Sequence, residues 1–223
     1  MINIAIDGPS GAGKSTIAKL LSKDLGILYL DTGAMYRAVG LKALTLNINP
    51  SDEASVKKFL PTTIVAIKFS NGEQQIYLDG VNVSLAIREH HVSKAASDIS
   101  AIPAVRLKLV ELQRQIAGRS NCILDGRDIG TYVLPNANFK FFLTASPLER
   151  ARRRYAELKE KGQNIELEKI IEDINERDKN DSTRAFAPLK KANDAIEIDT
   201  TFLTIEDVVE KIKRIVEVGN VVV

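Results

Sequence analysis

A single cysteine, Cys122, stands among the 223 residues, so no disulfide can close within the chain. Flanked by Asn121 and by Ile123-Leu124, it reads as a strand residue of the core. Surplus charge is also missing: 31 Lys and Arg face 29 Asp and Glu, a net charge of +2. That balance carries no nucleic-acid signature, so any functional positive charge has to be concentrated locally. No apolar run approaches the ~18 residues of a membrane span, and no basic N-terminal region leads into a long apolar stretch. A cytoplasmic protein with no membrane or nucleic-acid partner is expected. No internal repeat or low-complexity tract is visible. The Asn-Lys-x-Asp motif of guanine-binding switch proteins is absent, which argues against a regulatory P-loop switch.

What is present begins at residue 8. Gly8-Pro9-Ser10-Gly11-Ala12-Gly13-Lys14-Ser15 fits G-x-x-x-x-G-K-[ST]. Ile2-Asn3-Ile4-Ala5-Ile6 before it reads as a short buried strand. Thr16 to Leu25 after it has helical apolar spacing, with Gly26 as the stop. Strand, glycine loop and helix together make a phosphate site. Backbone N–H groups converge on an anion without Cβ clashes, and the helix N-terminus adds positive potential. In that context Lys14 reaches the β and γ phosphates and the Ser15 hydroxyl is a Mg²⁺ ligand.

Further apolar runs follow at Ile27–Leu30, Cys122–Asp125, Phe139–Leu143 and Ala195–Asp199, separated by helical patterns such as Val105–Ala117 and Ile205–Val218. Repeated β-α units predict an α/β fold, a P-loop NTPase-type parallel sheet flanked by helices. Ligands in such sheets bind beyond the carboxyl ends of the strands, where Asp7-Gly8, Asp31-Thr32-Gly33 and Asp125-Gly126-Arg127-Asp128 fall. The stretch from about 62 to 87 breaks the rhythm. Thr62–Phe69 is rich in β-branched residues, Asn71-Gly72 and Asp79-Gly80 signal turns, and Gln75–Leu78 and Val81–Val83 read as strands. This predicts a small antiparallel insert, which is either a decoration or a contributor to the site. Gly219–Val223 reads as a native or an added tail.

Arginines recur near carboxylates: Arg37, Arg106, Arg127, and Arg177 and Arg184 around Asp181. Their guanidinium forks match phosphate oxygens, so a set converging on the P-loop edge would hold a second phosphorylated substrate. Arg150, Arg152, Arg153 and Arg154 form a denser run, either a solvated basic face or a lid that closes over the transferring group.

Four blocks together carry a family resemblance: the P-loop; Asp31-Thr32-Gly33-Ala34-Met35-Tyr36-Arg37; Asp125-Gly126-Arg127-Asp128-Ile129-Gly130; and Arg184-Ala185-Phe186-Ala187-Pro188-Leu189. They resemble the signature blocks of bacterial cytidylate kinases, and the likeness runs from Ile4 to about Val218. It implies phosphoryl transfer from ATP, with Mg²⁺, to CMP or dCMP. It also implies a discontinuous core (1–35, 109–149, 166–218), a monophosphate-binding region (36–108) holding the insert, and a helical lid (150–165). By position, residues 8–16 (Gly8 through Thr16) bind the donor, and Lys14, Arg127 and Arg184 serve catalysis. Arg37, Arg127 and Arg184 are expected to grip the acceptor phosphate; Thr32, Ser97, Arg106 and Asp128 to read the cytosine and its surroundings; Arg177 and Asp181 to lie at the acceptor sugar. Asn180 stands where some relatives have arginine, and His90-His91 match no catalytic position. A monomer is expected. The alternative from the residues alone is a kinase of the same fold with another small acceptor.

Overall fold

The computed structural model describes residues 1–220 except 71, 161 and 164. The expected Asn71-Gly72 turn and the last three residues of the tail therefore lie, in part or whole, outside the described residues. In chain order the elements are β1 (Asn3–Asp7), α1 (Lys14–Leu25), β2 (Leu28–Asp31), α2 (Thr32–Thr45), α3 (Glu53–Phe59), β3 (Val65–Ser70), β4 (Glu73–Leu78) and β5 (Val81–Asn82). There follow α4 (His90–Ile99), α5 (Pro103–Ala117), β6 (Cys122–Gly126), β7 (Phe139–Thr144), α6 (Pro147–Glu160), α7 (Leu167–Thr183), β8 (Ile196–Asp199) and α8 (Ile205–Asn220).

Five strands form one sheet in the order β2-β6-β1-β7-β8, and every pairing in it is parallel. Alternate residues of the central strands feed two cores. Ala5, Leu30 and Leu124 face α2, α5 and the insert. Ile4, Ile6, Tyr29 and Ile123 face α1 and α8. Burial on both faces explains why these strands read as continuous apolar runs, each buried Ile or Leu contributing about 1.5–3 kcal/mol. The register sets Asp7 opposite Gly126 and Asp31 opposite Asp125, so the polar strand ends meet at one edge.

Local signals explain the boundaries. Gly26 takes the left-handed conformation (φ 65°) that ends α1. Asp31 caps α2, its carboxylate accepting from the Ala34 N–H at 2.9 Å. The helices α2 and α5 run unbroken through residues 35/36 and 108/109, so the seams implied by the resemblance lie inside helices.

The insert is a three-stranded antiparallel sheet, β3-β4-β5, and its first strand starts at Val65 rather than Thr62. Both threonine hydroxyls explain the difference. Thr62 and Thr63 donate to the Phe59 carbonyl at 3.0 and 2.9 Å and close a helical turn instead of extending a strand. The α6–α7 hairpin carries its own small core of Ala151, Leu158, Ile170 and Ile174.

Candidate active site

The glycine loop sits between β1 and α1 under tight steric control. A Cβ on Gly8 (φ +146°) would fall 1.9 Å from the Leu143 carbonyl oxygen, so the loop can press onto β7 only without a side chain there. A Cβ on Gly11 would lie 2.9 Å from that of Arg150. Lys14 is buried and its ammonium donates to the Pro9 carbonyl at 2.6 Å. Burial, then the nearby Arg127, pushes its pKa well below the ordinary lysine value. The Ser15 hydroxyl donates to Asp125 at 2.7 Å, and the Tyr29 hydroxyl donates to the other Asp125 oxygen at 3.0 Å. Burial raises the Asp125 pKa to about 6. Thr16 lies exposed on the first turn of α1.

Across from the loop the arginines converge. Arg127 donates to Asp181 at 2.7 Å, and the Arg177 Nε is 3.9 Å from the same carboxylate oxygen. That Nε is buried without a hydrogen-bond partner among the described residues. Burial, then Arg127, lowers the Arg177 pKa to about 9, with Arg37 and Arg154 pushing the same way. Arg37 is lowered by burial, against the pull of Asp31, with Arg88, Arg127 and Arg154 adding to the drop. Thus Lys14, Arg37, Arg127, Arg154 and Arg177 crowd one space beside the loop. Cations desolvated and held together in this way are poised for an anion of high charge density.

These features fit the comparisons with known proteins. A family model described as cytidylate kinase matches residues 4–218. The chain belongs to the cytidylate kinase family. It is 54% identical to a cytidylate kinase of Caldicellulosiruptor bescii over 95% of this chain and 93% of that one. It is 53% identical to one of Clostridioides difficile (94% and 95% covered) and 51% identical to one of Halalkalibacterium halodurans (95% of each). In fold it is similar to the crystal structure of an uncharacterized protein from Eubacterium ventriosum ATCC 27560. That pair has a TM-score of 0.52 at 13% identity, with 97% of this chain and 99% of the other covered.

Three of the remaining expected residues, Arg106, Asp128 and Arg184, form a second cluster. Asp128 is 4% exposed and takes an arginine on each oxygen: Arg106 at 2.5 Å and Arg184 at 3.3 Å. Arg106 is 1% exposed and its guanidinium lies 5.2 Å from the Tyr36 ring centre. Arg184 also donates to the Ala187 carbonyl at 2.7 Å and stands 3.6 Å from Asp181. Arg184 therefore bridges the two clusters, touching Asp128 beside Arg106 and the Asp181 carboxylate that Arg127 bonds. The Thr32 hydroxyl donates to the Asp125 carbonyl at 2.7 Å, fastening the start of α2 to the end of β6. Ser97 is buried, its hydroxyl unpartnered among the described residues, and it lines a cavity of about 350 Å³ with Asn180 and Arg184.

The run Arg150–Arg154 does not act as one face. Arg150 is buried, donating to the carbonyls of Ala145 and Ser10 at 3.0 Å each and pairing with Asp178 at 2.6 Å. Arg153 reaches the Thr200 carbonyl at 2.6 Å, Arg152 is exposed, and Arg154 pairs with Glu157 at 3.0 Å near enough to Arg37 and Arg177 for its charge to be felt there. His90 and His91 stand on the first turn of α4 facing Asp173 and Glu89.

The sequence placed Asp7 and Asp125 at the ligand edge without a partner for either carboxylate, and it left Arg150 and Arg154 between a basic face and a lid. The Asp7 carboxylate accepts from the consecutive N–H groups of Ile129 and Gly130 at 2.8 and 2.7 Å, pinning the turn that follows Asp128. Burial raises its pKa to about 7. A carboxylate ending a buried strand was the available signal for both aspartates.

Proposed function

We propose that this chain transfers the γ-phosphoryl group of ATP to the phosphate of CMP and dCMP, releasing ADP with CDP or dCDP. The crowded set of Lys14, Arg37, Arg127, Arg154 and Arg177 opposite a phosphate-binding loop carries this reading. One nucleotide would need Lys14 and the loop; the additional arginines fit a second phosphate facing the first. All of these groups come from one chain, so a monomer suffices for the reaction.

The transfer asks for alignment and charge neutralisation rather than covalent work. Loop N–H groups and Lys14 hold the donor phosphates, while Arg37 and Arg127 hold the acceptor phosphate in line with them. Arg154 and Arg177 neutralise charge spreading over the transferred group. Asp181, bonded to Arg127 and close to Arg177 and Arg184, keeps the guanidinium groups aimed while the site is empty.

The oxygen donors Ser15 and Asp125, within 2.7 Å of each other beside the loop, suit a hard cation. No group of three or more His, Cys, Asp or Glu among the described residues could hold a metal by itself. That donor pair fits Mg²⁺ completed by nucleotide phosphates and water. Bound there, Mg²⁺ would neutralise charge on the phosphate oxygens.

At the far end Asp128 and Arg106 suit cytosine. The base offers an amino donor at C4 and an acceptor at N3, and a carboxylate beside a guanidinium complements both. Each Asp128 oxygen has a second lone pair beyond its arginine bond. Uracil would turn a carbonyl toward that carboxylate, a mismatch costing several kcal/mol in a closed site, on the order of an unsatisfied buried acceptor. A coupled assay of ADP formation with CMP, dCMP, UMP, AMP and shikimate tests the assignment. Comparable turnover of shikimate or AMP would overturn it.

The α6–α7 hairpin is the proposed lid. Its core is four buried side chains, so its opening free energy should be low when the site is empty. Arg154 on α6 and Arg177 on α7 give bound phosphates a direct grip on it. Hydrogen exchange across α6 and α7 should slow with CMP plus a non-hydrolysable ATP analogue, while β1 and β6 change little. Equal exchange with and without ligands would mark the hairpin as a fixed element.

A further inference from the structure

The insert touches the parallel sheet at a point with chemical consequences. β2 is an edge strand, and Asp31, its last residue, has no neighbouring strand on its outer side. The side chain of Gln74 in β4 fills that place. The Asp31 N–H donates to Gln74 Oε1 at 2.7 Å, and Gln74 Nε2 donates to the Asp31 carbonyl at 3.2 Å. One amide thus satisfies both main-chain groups as a paired strand would.

Asp31 is also where the acceptor-side charges are set. Its carboxylate accepts from the Ala34 N–H and from Arg88 Nη1, each at 2.9 Å. Arg88 follows the insert in the chain, so the insert region grips Asp31 twice, through main chain and carboxylate. Arg37 lies close by: a Cβ on Gly33 would be 3.2 Å from the Asp31 carboxylate and 3.7 Å from the Arg37 guanidinium. Burial pushes the Asp31 pKa up, but Arg37 and then Arg88 more than offset it and hold the carboxyl below its usual range.

We infer that Gln74 is a positioning residue for the acceptor phosphate: its amide locks the Asp31 main chain, and Asp31 in turn pairs with Arg88 and sets its negative charge beside Arg37. The insert is then an organiser of the acceptor site and not a decoration. The inference rests on the acceptor reading above, and the test separates the two.

Gln74→Met keeps side-chain length and removes both hydrogen bonds; Gln74→Ala is the second variant. Gln74 is only half-buried in a peripheral sheet, so both are expected to fold. KM for CMP should rise about threefold to tenfold, the equivalent of roughly one net hydrogen bond. kcat and KM for ATP should stay within twofold. Hydrogen exchange of the segment 30–37 in the unliganded protein should quicken, a readout that does not depend on the acceptor's identity. A wild-type protein inactive on CMP would refute the acceptor reading while that exchange result still decides whether the lock exists. Unchanged exchange at 30–37, an unchanged KM for CMP, or equal rises in both KM values would overturn the inference.

Discussion

Replacing Lys14 with alanine should lower kcat by about 10²-fold or more while leaving the protein folded. The ammonium sits against the Pro9 carbonyl at 2.6 Å, inside the loop that would wrap the donor phosphates. In the empty site its charge is disfavoured, since burial and the neighbouring Arg127 and Arg177 all oppose it. Nothing in the resting fold therefore depends on that charge. Its use comes when negative charge spreads over the transferring group. The melting temperature of Lys14→Ala should accordingly equal or exceed that of the wild type. Near-native turnover, or a lower melting temperature that accounts for the loss, would remove Lys14 from the catalytic role.

Asp128→Asn should act on both stability and specificity. The carboxylate is buried between Arg106 and Arg184, and the amide would turn an NH₂ donor toward one guanidinium. Breaking a buried pair in this way costs about 3 kcal/mol, seen as a melting temperature lower by roughly 6–12 °C for a chain of this size. The same amide can rotate its donor toward the O4 of uracil. Efficiency on CMP should then fall while UMP loses little or gains, shrinking discrimination by about 1–3 kcal/mol. ATP affinity should hardly change, because the loop is a separate site. Equal falls for CMP and UMP would mean that Asp128 only bridges the two arginines and does not read the base.

Much of this design was legible in the chain. Burial on both faces makes the sheet strands short apolar runs, and the glycine loop announces its own flanks. The order β2-β6-β1-β7-β8 was not legible, because it depends on which crossovers pack rather than on any local pattern. Thr62 and Thr63 misled the strand boundary because β-branched residues serve strands and back-bonded turns equally well. The arginine run misled in another way. Sequence shows charge, but only the fold shows that Arg150 is spent on the Ser10 and Ala145 carbonyls while Arg154 pairs with Glu157. Gln74 gave no signal at all. A glutamine in a polar insert becomes informative only once its amide is seen completing the edge of β2.

The crowding of Lys14, Arg37, Arg127, Arg154 and Arg177 has a consequence for the protein at rest. Arg127 and Arg154 are paired with Asp181 and Glu157, but Lys14, Arg37 and Arg177 are held charged at a cost to the fold, and any dense anion that enters offsets part of that cost. Resting stability should therefore depend on the identity of the buffer anion, even without nucleotide. At matched ionic strength the protein should melt higher in sulfate or phosphate than in chloride, following the mass-action stabilisation of a bound ligand. Sulfate also favours burial generally, so Arg177→Ala provides the control: it should erase most of the gap if the anion sits among these side chains, and leave it intact if the effect is only solvent exclusion.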